Sequence, residues 1–199
     1  MDIKSNNLKT KDYKTIARLH RDHINNGFLG TLGIPFLMLL YEAIDKDEDS
    51  VLLLEKKDRV IVGFISGTLG LKSIYKRLLM QPYKLICSLK TNFLSIFKMY
   101  KILEILFKTK NDNKEKDLPK YELLSMVVDP AFQGKGYSES LFKSLCNHFK
   151  EKGIESFKIM VGRNLTKANA FYTKMGSIPV KETQIHKGSN SLIYIKKTD

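Results

Sequence analysis

The chain has 199 residues, of which 43% are hydrophobic and 28% charged. That balance is ordinary for a soluble globular protein and excludes a disordered, collagen-like or low-complexity chain. The anomaly is charge: 34 Lys and Arg against 21 Asp and Glu leave +13, an excess that points to polyanionic company without specifying a fold. The length suits a single domain over residues 1–199 with a sizeable core. Cys87 and Cys146 are the two cysteines; they stand in apolar stretches with no CxxC and no clustered histidines, which argues against a disulfide framework and a structural zinc site. The opening residues lack the apolar run of a secretory signal. The greasiest region, 74–107, is interrupted by seven charges, so it is not expected to span a membrane. A cytoplasmic location follows as an expectation.

Residues 2–8 are expected to form a short strand. Tyr13, Ile16, Ala17, Leu19, His20, His23 and Ile24 then recur at helical spacing, with Asp12 as the expected helix cap. His20 and His23 have no cysteine or carboxylate to complete a ligand set, so they are read as surface or core-edge histidines and no metal is expected. A glycine-punctuated loop at 27–33 leads through Pro35 into a helix at 36–44. The apolar runs 51–55 and 60–68, joined by a charged turn, read as a hairpin.

Between 71 and 118 the pattern changes. Leu85, Leu89, Phe93, Ile96, Tyr100, Leu103 and Phe107 repeat every three or four residues, and Pro82 separates this amphipathic helix from a shorter one at 74–80. Nine basic residues and one acid between 71 and 110 give a local +8, so most of the net charge belongs to this insertion. It is lysine-rich with a single arginine, and its aromatics fall mainly on the apolar face, so no nucleic acid partner is expected. A basic amphipathic helix suits contact with an anionic membrane surface, although packing that face on the parent sheet is the simpler expectation.

After the insertion come a strand at 121–128, a helix at 138–152, a strand at 157–161, a helix at 166–175 stopped by Gly176, and closing strands at 178–182 and 191–196. This order suggests an α/β (α+β) domain carrying a helical insertion. The chemistry-bearing run is Val127-Val128-Asp129-Pro130-Ala131-Phe132-Gln133-Gly134-Lys135-Gly136-Tyr137-Ser138, between a strand and a helix. Glycines there permit a tight turn, and the unpaired N–H groups that begin the helix point at whatever lies above them, so the run forms an anion cradle. Neither the P-loop spacing nor the dinucleotide GxGxxG spacing is present.

The run from Gln133 to Ser138, preceded by Val-Asp-Pro, resembles the pyrophosphate loop of the GNAT superfamily of acyl-CoA N-acyltransferases. So does its downstream partner Ala168-Asn169-Ala170-Phe171-Tyr172-Thr173-Lys174-Met175-Gly176. The resemblance implies a mixed, mostly antiparallel sheet with flanking helices, whose fourth and fifth strands, here 121–128 and 157–161, splay apart around acetyl-CoA. It implies that Met126, Val127 and Val128 lend backbone groups to the pantetheine arm, one N–H polarising the thioester carbonyl. Gln133, Gly134, Lys135, Gly136, Tyr137 and Ser138 would hold the pyrophosphate.

Ser138 replaces the usual small residue. Asn164, with Asn169 as a substitute, stands near the position of the family's cofactor-contacting asparagine, which is Leu165 here. The 27–33 loop is implied to border the acceptor pocket.

Acyl transfer to an amine needs a base, an oxyanion donor and a proton for the departing thiolate. The resemblance implies Tyr172 as general acid and Glu122 as general base. Period-two alternation places Glu122, Leu124, Met126 and Val128 on one face of their strand. Met160 stands where some relatives that modify protein N-termini carry a glutamate, which argues against that acceptor class. The expected activity is acetyl transfer from acetyl-CoA to a primary amine of a small molecule, sugar or protein. Alternatives are a non-catalytic acyl-CoA-binding domain and a membrane-surface acyltransferase using the basic insertion.

Overall fold

A computed structural model describes residues 8–24, 29–89, 118–186 and 189–198. The expected strand at 2–8 falls outside them except for Leu8, and so do the later repeat positions 93–107 of the insertion. The first helix, α1 (Thr10–His23), buries Tyr13, Ile16, Ala17, Leu19 and His20. Asp12 does not occupy the cap position expected of it. It stands at the third helical residue, where its carboxylate accepts the Lys9 N–H at 2.9 Å and lies at the positive end of the helix. His20, expected at the surface or core edge, is only 4% exposed.

Helix α2 (Ile34–Asp45) carries Pro35 in its first turn and buries Phe36, Leu37, Leu39, Leu40, Tyr41, Ala43 and Ile44. A helix apolar on nearly every side has to lie inside a core. Strands β1 (Ser50–Lys57) and β2 (Val60–Thr68) form the expected hairpin, turning through Asp58 and Arg59 at φ 51° and 66°, the hand that matches strand twist. Helices α3 (Leu71–Leu79) and α4 (Pro82–Leu89) are the described start of the insertion. They bury Ile74, Tyr75, Leu78 and Leu85 in the cluster built around α2, so this part of the apolar stripe packs on the parent domain.

The remaining elements are β3 (Glu122–Val128), α5 (Tyr137–Glu151), β4 (Ser156–Gly162), α6 (Thr166–Lys174), β5 (Ile178–His186) and β6 (Ser189–Lys197). The six strands order as β1-β2-β3-β4-β6-β5, and every pairing is antiparallel except β3 with β4. The helices before β3 supply the core on one face of this mixed sheet, and α5 and α6 supply the other. Helix α5 lies so close to β2 that a Cβ on Gly67 would stand 2.6 Å from Phe149 Cζ.

Strand β3 is irregular at one point that matters. Ser66 pairs with Ser125 and Gly67 with Leu123, so Leu124 is an extra residue on the β3 side, a β-bulge. An inserted residue shifts the alternation by one. Before the bulge Leu123 faces α5; after it Met126 and Val128 do, while Ser125 and Val127 turn to the α2 side. The expected common face of Glu122, Leu124, Met126 and Val128 is therefore overturned. Glu122 lies on the α3 side, where its charge is felt by Tyr75.

A buried polar chain crosses the α2 core. His20 Nδ1 is 2.6 Å from the Tyr41 hydroxyl, which is 3.0 Å from Ser125 Oγ, itself 2.7 Å from Ser66 Oγ. Burial lowers the His20 imidazole from 6.5 to about 4. As pH falls through 6.5 the unfolded chain takes up this proton first, and the folded chain follows only near 4, so the stability is present above about 6.5 and lost over that interval. It amounts to about 3 kcal/mol at roughly 1.4 kcal/mol per unit. His20→Asn keeps an acceptor near the Nδ1 position and cannot titrate. In urea titrations from pH 7 to pH 4 the wild type should lose about 3 kcal/mol more stability than this variant.

Candidate functional site

Strands β3 and β4 pair only at Glu122 with Lys158 and Leu123 with Ile159. Beyond Leu123 they share no ladder, while the other edge of β4 pairs along its length with β6. One edge of β3 from Leu124 onward thus faces an opening. Backbone groups need partners, so an extended ligand can take the place of the missing strand. The opening is a cavity of about 580 Å³ whose wall includes Ser125, Met126, Gln133, Asn164 and Tyr172. His23 and Ile24, at the end of α1, close one side, just before residues 25–28, which lie outside the described part of the 27–33 loop. A larger hollow of about 780 Å³ between α1, α2 and α4 is lined by none of the motif residues.

At the far end of β3 the glycine loop leads into α5. The Asp129 carboxylate accepts the Ala131 N–H at 2.9 Å, and Gln133 Nε2 donates to the Val128 carbonyl at 3.2 Å. These bonds tie the loop to the strand it leaves. Gly134 and Gly136 have φ of 72° and 82°, a region that side chains strain, and a Cβ on either would meet nothing within 4 Å. They bend the chain while keeping the space above it open.

Gly136 caps α5, and the first helical bond is from the Ser140 N–H to its carbonyl at 2.9 Å. The N–H groups of Tyr137 and Ser138 precede that ladder. The Glu139 carboxyl is held below its usual range by its own backbone N–H and then by Lys174. Lys135 Nζ donates to the Ala131 carbonyl at 3.1 Å and lies 5.1 Å from the Phe132 ring centroid. The residues present therefore suit a pyrophosphate: free amide donors, a helix N-terminus, a nearby cation and open space.

Tyr172 projects from α6 into the second core, is 7% exposed and lines the cavity. Burial raises its phenol well above the ordinary value, so it keeps its proton at neutral pH. Glu122 is paired with Lys158 one residue before Leu123, the last paired position ahead of the fork, its carboxylate 3.9 Å from Lys158 Nζ; it is not among the described residues of the cavity wall. Met126 lines the cavity, whereas Val127 and Val128 are buried and are not among its described lining residues.

The two asparagines separate. Asn164 lies in the wall. Asn169 has its amide committed to the β4–α6 turn, donating to the Gly162 and Leu165 carbonyls at 3.0 and 2.9 Å and accepting the Tyr194 hydroxyl at 2.9 Å.

No motif in the sequence gives Ser125, Tyr41 or His20 a place in the site. Two of them carry a signal: Ser125 is the one polar residue in the run Leu123-Leu124-Ser125-Met126-Val127-Val128, and His20 follows Ile16 at the spacing of the buried stripe. Neither signal names a partner, because Tyr41 is 84 residues from Ser125.

The chain matches the model of the acetyltransferase (GNAT) family over residues 21–177. It is 35% identical over 54 residues to a [ribosomal protein bS18]-alanine N-acetyltransferase from Haemophilus ducreyi, a match covering 27% of this chain and 37% of that relative. Solved structures share the fold. The ribosomal-protein-S18-alanine N-acetyltransferase of Escherichia coli superposes with a TM-score of 0.58 at 12% identity, over 96% of this chain and 91% of that one. A Salmonella typhimurium protein solved with its cofactor acetyl-CoA gives 0.62 at 12% identity, over 96% and 91%. With its forked sheet, its glycine cradle and a family match over most of its length, the chain belongs to the GNAT acetyltransferase family and is an acyltransferase that uses acetyl-CoA as co-substrate.

Proposed function

We propose that this enzyme transfers an acetyl group to a primary amine of a small molecule, sugar or protein, and that the transfer takes place in the fork between β3 and β4. The observation that carries this reading is the unpaired edge of β3, which opens directly between the glycine cradle and Tyr172. Acetyl-CoA, when bound, supplies the activated thioester. Its pyrophosphate suits the N–H groups of residues 134–138, with Lys135 nearby; the Gln133 N–H is already donated to the Pro130 carbonyl. Its pantetheine arm suits the edge of β3 at Met126, Val127 and Val128, where a backbone N–H is available to the thioester carbonyl. Asn164, in the wall, is better placed for a cofactor contact than Asn169.

The chain's own chemistry then concerns protons. Tyr172 holds a phenol proton that burial keeps in place, and we assign it to the departing sulfur. Glu122 is the proposed base. Since it sits one position below the fork and outside the described wall, it would draw the amine proton through water.

The wall also narrows the acceptor. Among the described lining residues there is no aspartate or glutamate, Lys167 is present, and Ile24, Leu124, Met160 and Leu165 are apolar. Such a wall disfavours a polycation, which would lose its hydration without gaining a counter-charge. A monoamine, or a peptide N-terminus with an uncharged first side chain, fits better. The partial match to a ribosomal protein alanine N-acetyltransferase favours the peptide. Met160 offers no carboxylate there, which weighs against a peptide N-terminus only if that position supplies the base; with Glu122 as the base the objection lapses.

Thiol release from acetyl-CoA, followed with an Ala-starting peptide, phenethylamine and spermidine, should rank spermidine last. Tyr172→Phe should lower kcat by about a hundredfold, the scale of one proton donor, while the Kd for acetyl-CoA from calorimetry stays unchanged. Gly136→Ala should do the reverse. Its strained φ costs about 1–2 kcal/mol, so acetyl-CoA affinity and melting temperature should both fall. If spermidine were the best acceptor, the charge argument for the wall would be wrong.

A further inference from the structure

The buried chain from His20 to Ser125 ends in the cavity wall, and it has a direction. Each of the three hydroxyls in it, Tyr41, Ser125 and Ser66, has a single hydrogen. His20 Nδ1 lies 2.6 Å from the Tyr41 oxygen, and a phenol is a far stronger acid than a neutral imidazole N–H, so the pair binds best with Tyr41 donating. Once the Tyr41 hydrogen points at His20, its oxygen can only accept at its other contact, and Ser125 has to donate to it across 3.0 Å. Ser66 Oγ, fully buried and 2.7 Å away, then donates to Ser125. Ser125 is left with its hydrogen turned inward and one lone pair unused.

Ser125 is half-buried and lines the cavity. The bulge at Leu124 puts it there: with the same residues in an unbroken strand, Ser125 would share the face of Leu123 and point to the α5 core, away from Tyr41.

We propose that Ser125 receives the acceptor amine, taking an N–H on its oxygen, and that Tyr41 and His20 are positioning residues that hold the Ser125 hydroxyl with its lone pair toward the cavity. This rests on the reading of the fork as the transfer site. A wall atom fixed as an acceptor favours a ligand that donates, as an amine does, and leaves the amine lone pair free to attack. It disfavours a ligand that only accepts, which would leave the Ser125 lone pair unmatched. His20 serves this role because it stays neutral at ordinary pH. A group so resistant to protonation holds a hydrogen bond rather than taking a proton, so the chain orients Ser125 and is not a relay to a base.

Two measurements on the full chain test this. Isotopic nitrogen labelling of histidine should show by NMR that His20 is the Nε2–H tautomer with Nδ1 unprotonated at pH 7; an Nδ1–H tautomer turns the Tyr41 hydrogen toward Ser125 and leaves the Ser125 hydrogen free of Tyr41, which overturns the proposal, whichever amines prove to be substrates. With the Ala-starting peptide and phenethylamine as acceptors, Ser125→Ala should raise the amine KM about tenfold, the loss of about one hydrogen bond. The Kd for acetyl-CoA should not change, and Ser125→Thr should restore most of the loss.

Tyr41→Phe should weaken amine binding similarly, and the double variant Ser125→Ala/Tyr41→Phe no further than Ser125→Ala, because Tyr41 acts only through Ser125. Should Tyr41→Phe fail to fold, Ser125→Ala and the tautomer decide. Unchanged amine KM in Ser125→Ala, or additive losses in the double variant, would refute the assignment while leaving the fork reading intact. A wild type that neither binds acetyl-CoA nor releases thiol would instead refute the fork reading.

Discussion

One inserted residue in β3 organises much of the site. Strand alternation leaves little freedom: with period two, each side chain's face is set by its distance from the last irregularity. Leu124 breaks that count. Below it Glu122 and Leu123 complete the short parallel ladder to β4; above it Ser125 turns toward α2 and Met126 toward α5. The same strand therefore presents a polar acceptor from one core and an apolar contact from the other at the mouth of one opening. A regular strand would bury Ser125 among the aromatic residues of the α5 core, where an unpartnered hydroxyl would be costly.

The two cores hold this arrangement from opposite sides. Around α2, dense apolar packing excludes water from His20 and Tyr41, which lowers the one's basicity and raises the other's phenol. Across the sheet, Phe142, Phe157, Phe171 and Tyr172 pack edge to face or tilted, fixing α6 and with it the phenol in the wall. Rigid packing is what makes polar groups at the fork dependable, since a catalytic proton donor or a hydrogen-bond acceptor acts only at a defined position.

Much of this was legible in the residues. The spacing of Tyr13, Ile16, Ala17 and Leu19, the hairpin at 51–68 and the strand-loop-helix around Gly134 and Gly136 follow from local chemistry: apolar periodicity, turn residues, and glycines where φ is positive. The shift at Leu124 was not legible, because nothing in Leu123-Leu124-Ser125 distinguishes a bulge from a regular strand; the register against β2 decides it. The residue types make Asp12 the natural cap, yet it acts from the third helical position, a difference of one turn that depends on the extended conformation of Lys9. No neighbour in sequence gives His20 a partner, because the group it meets, Tyr41, lies on another helix.

The family, the order of elements, the glycine cradle and the place of most of the excess positive charge are legible in the residues alone, since each depends on neighbours a few residues apart or on motifs kept intact along the chain. Where β3 and β4 part, which of Asn164 and Asn169 reaches the cavity, and the joining of His20, Tyr41 and Ser125 in one chain come from the folded arrangement. Those outcomes depend on strand register and on contacts between residues far apart in sequence, and no local pattern encodes the direction of a hydrogen bond that begins on one element and ends on another.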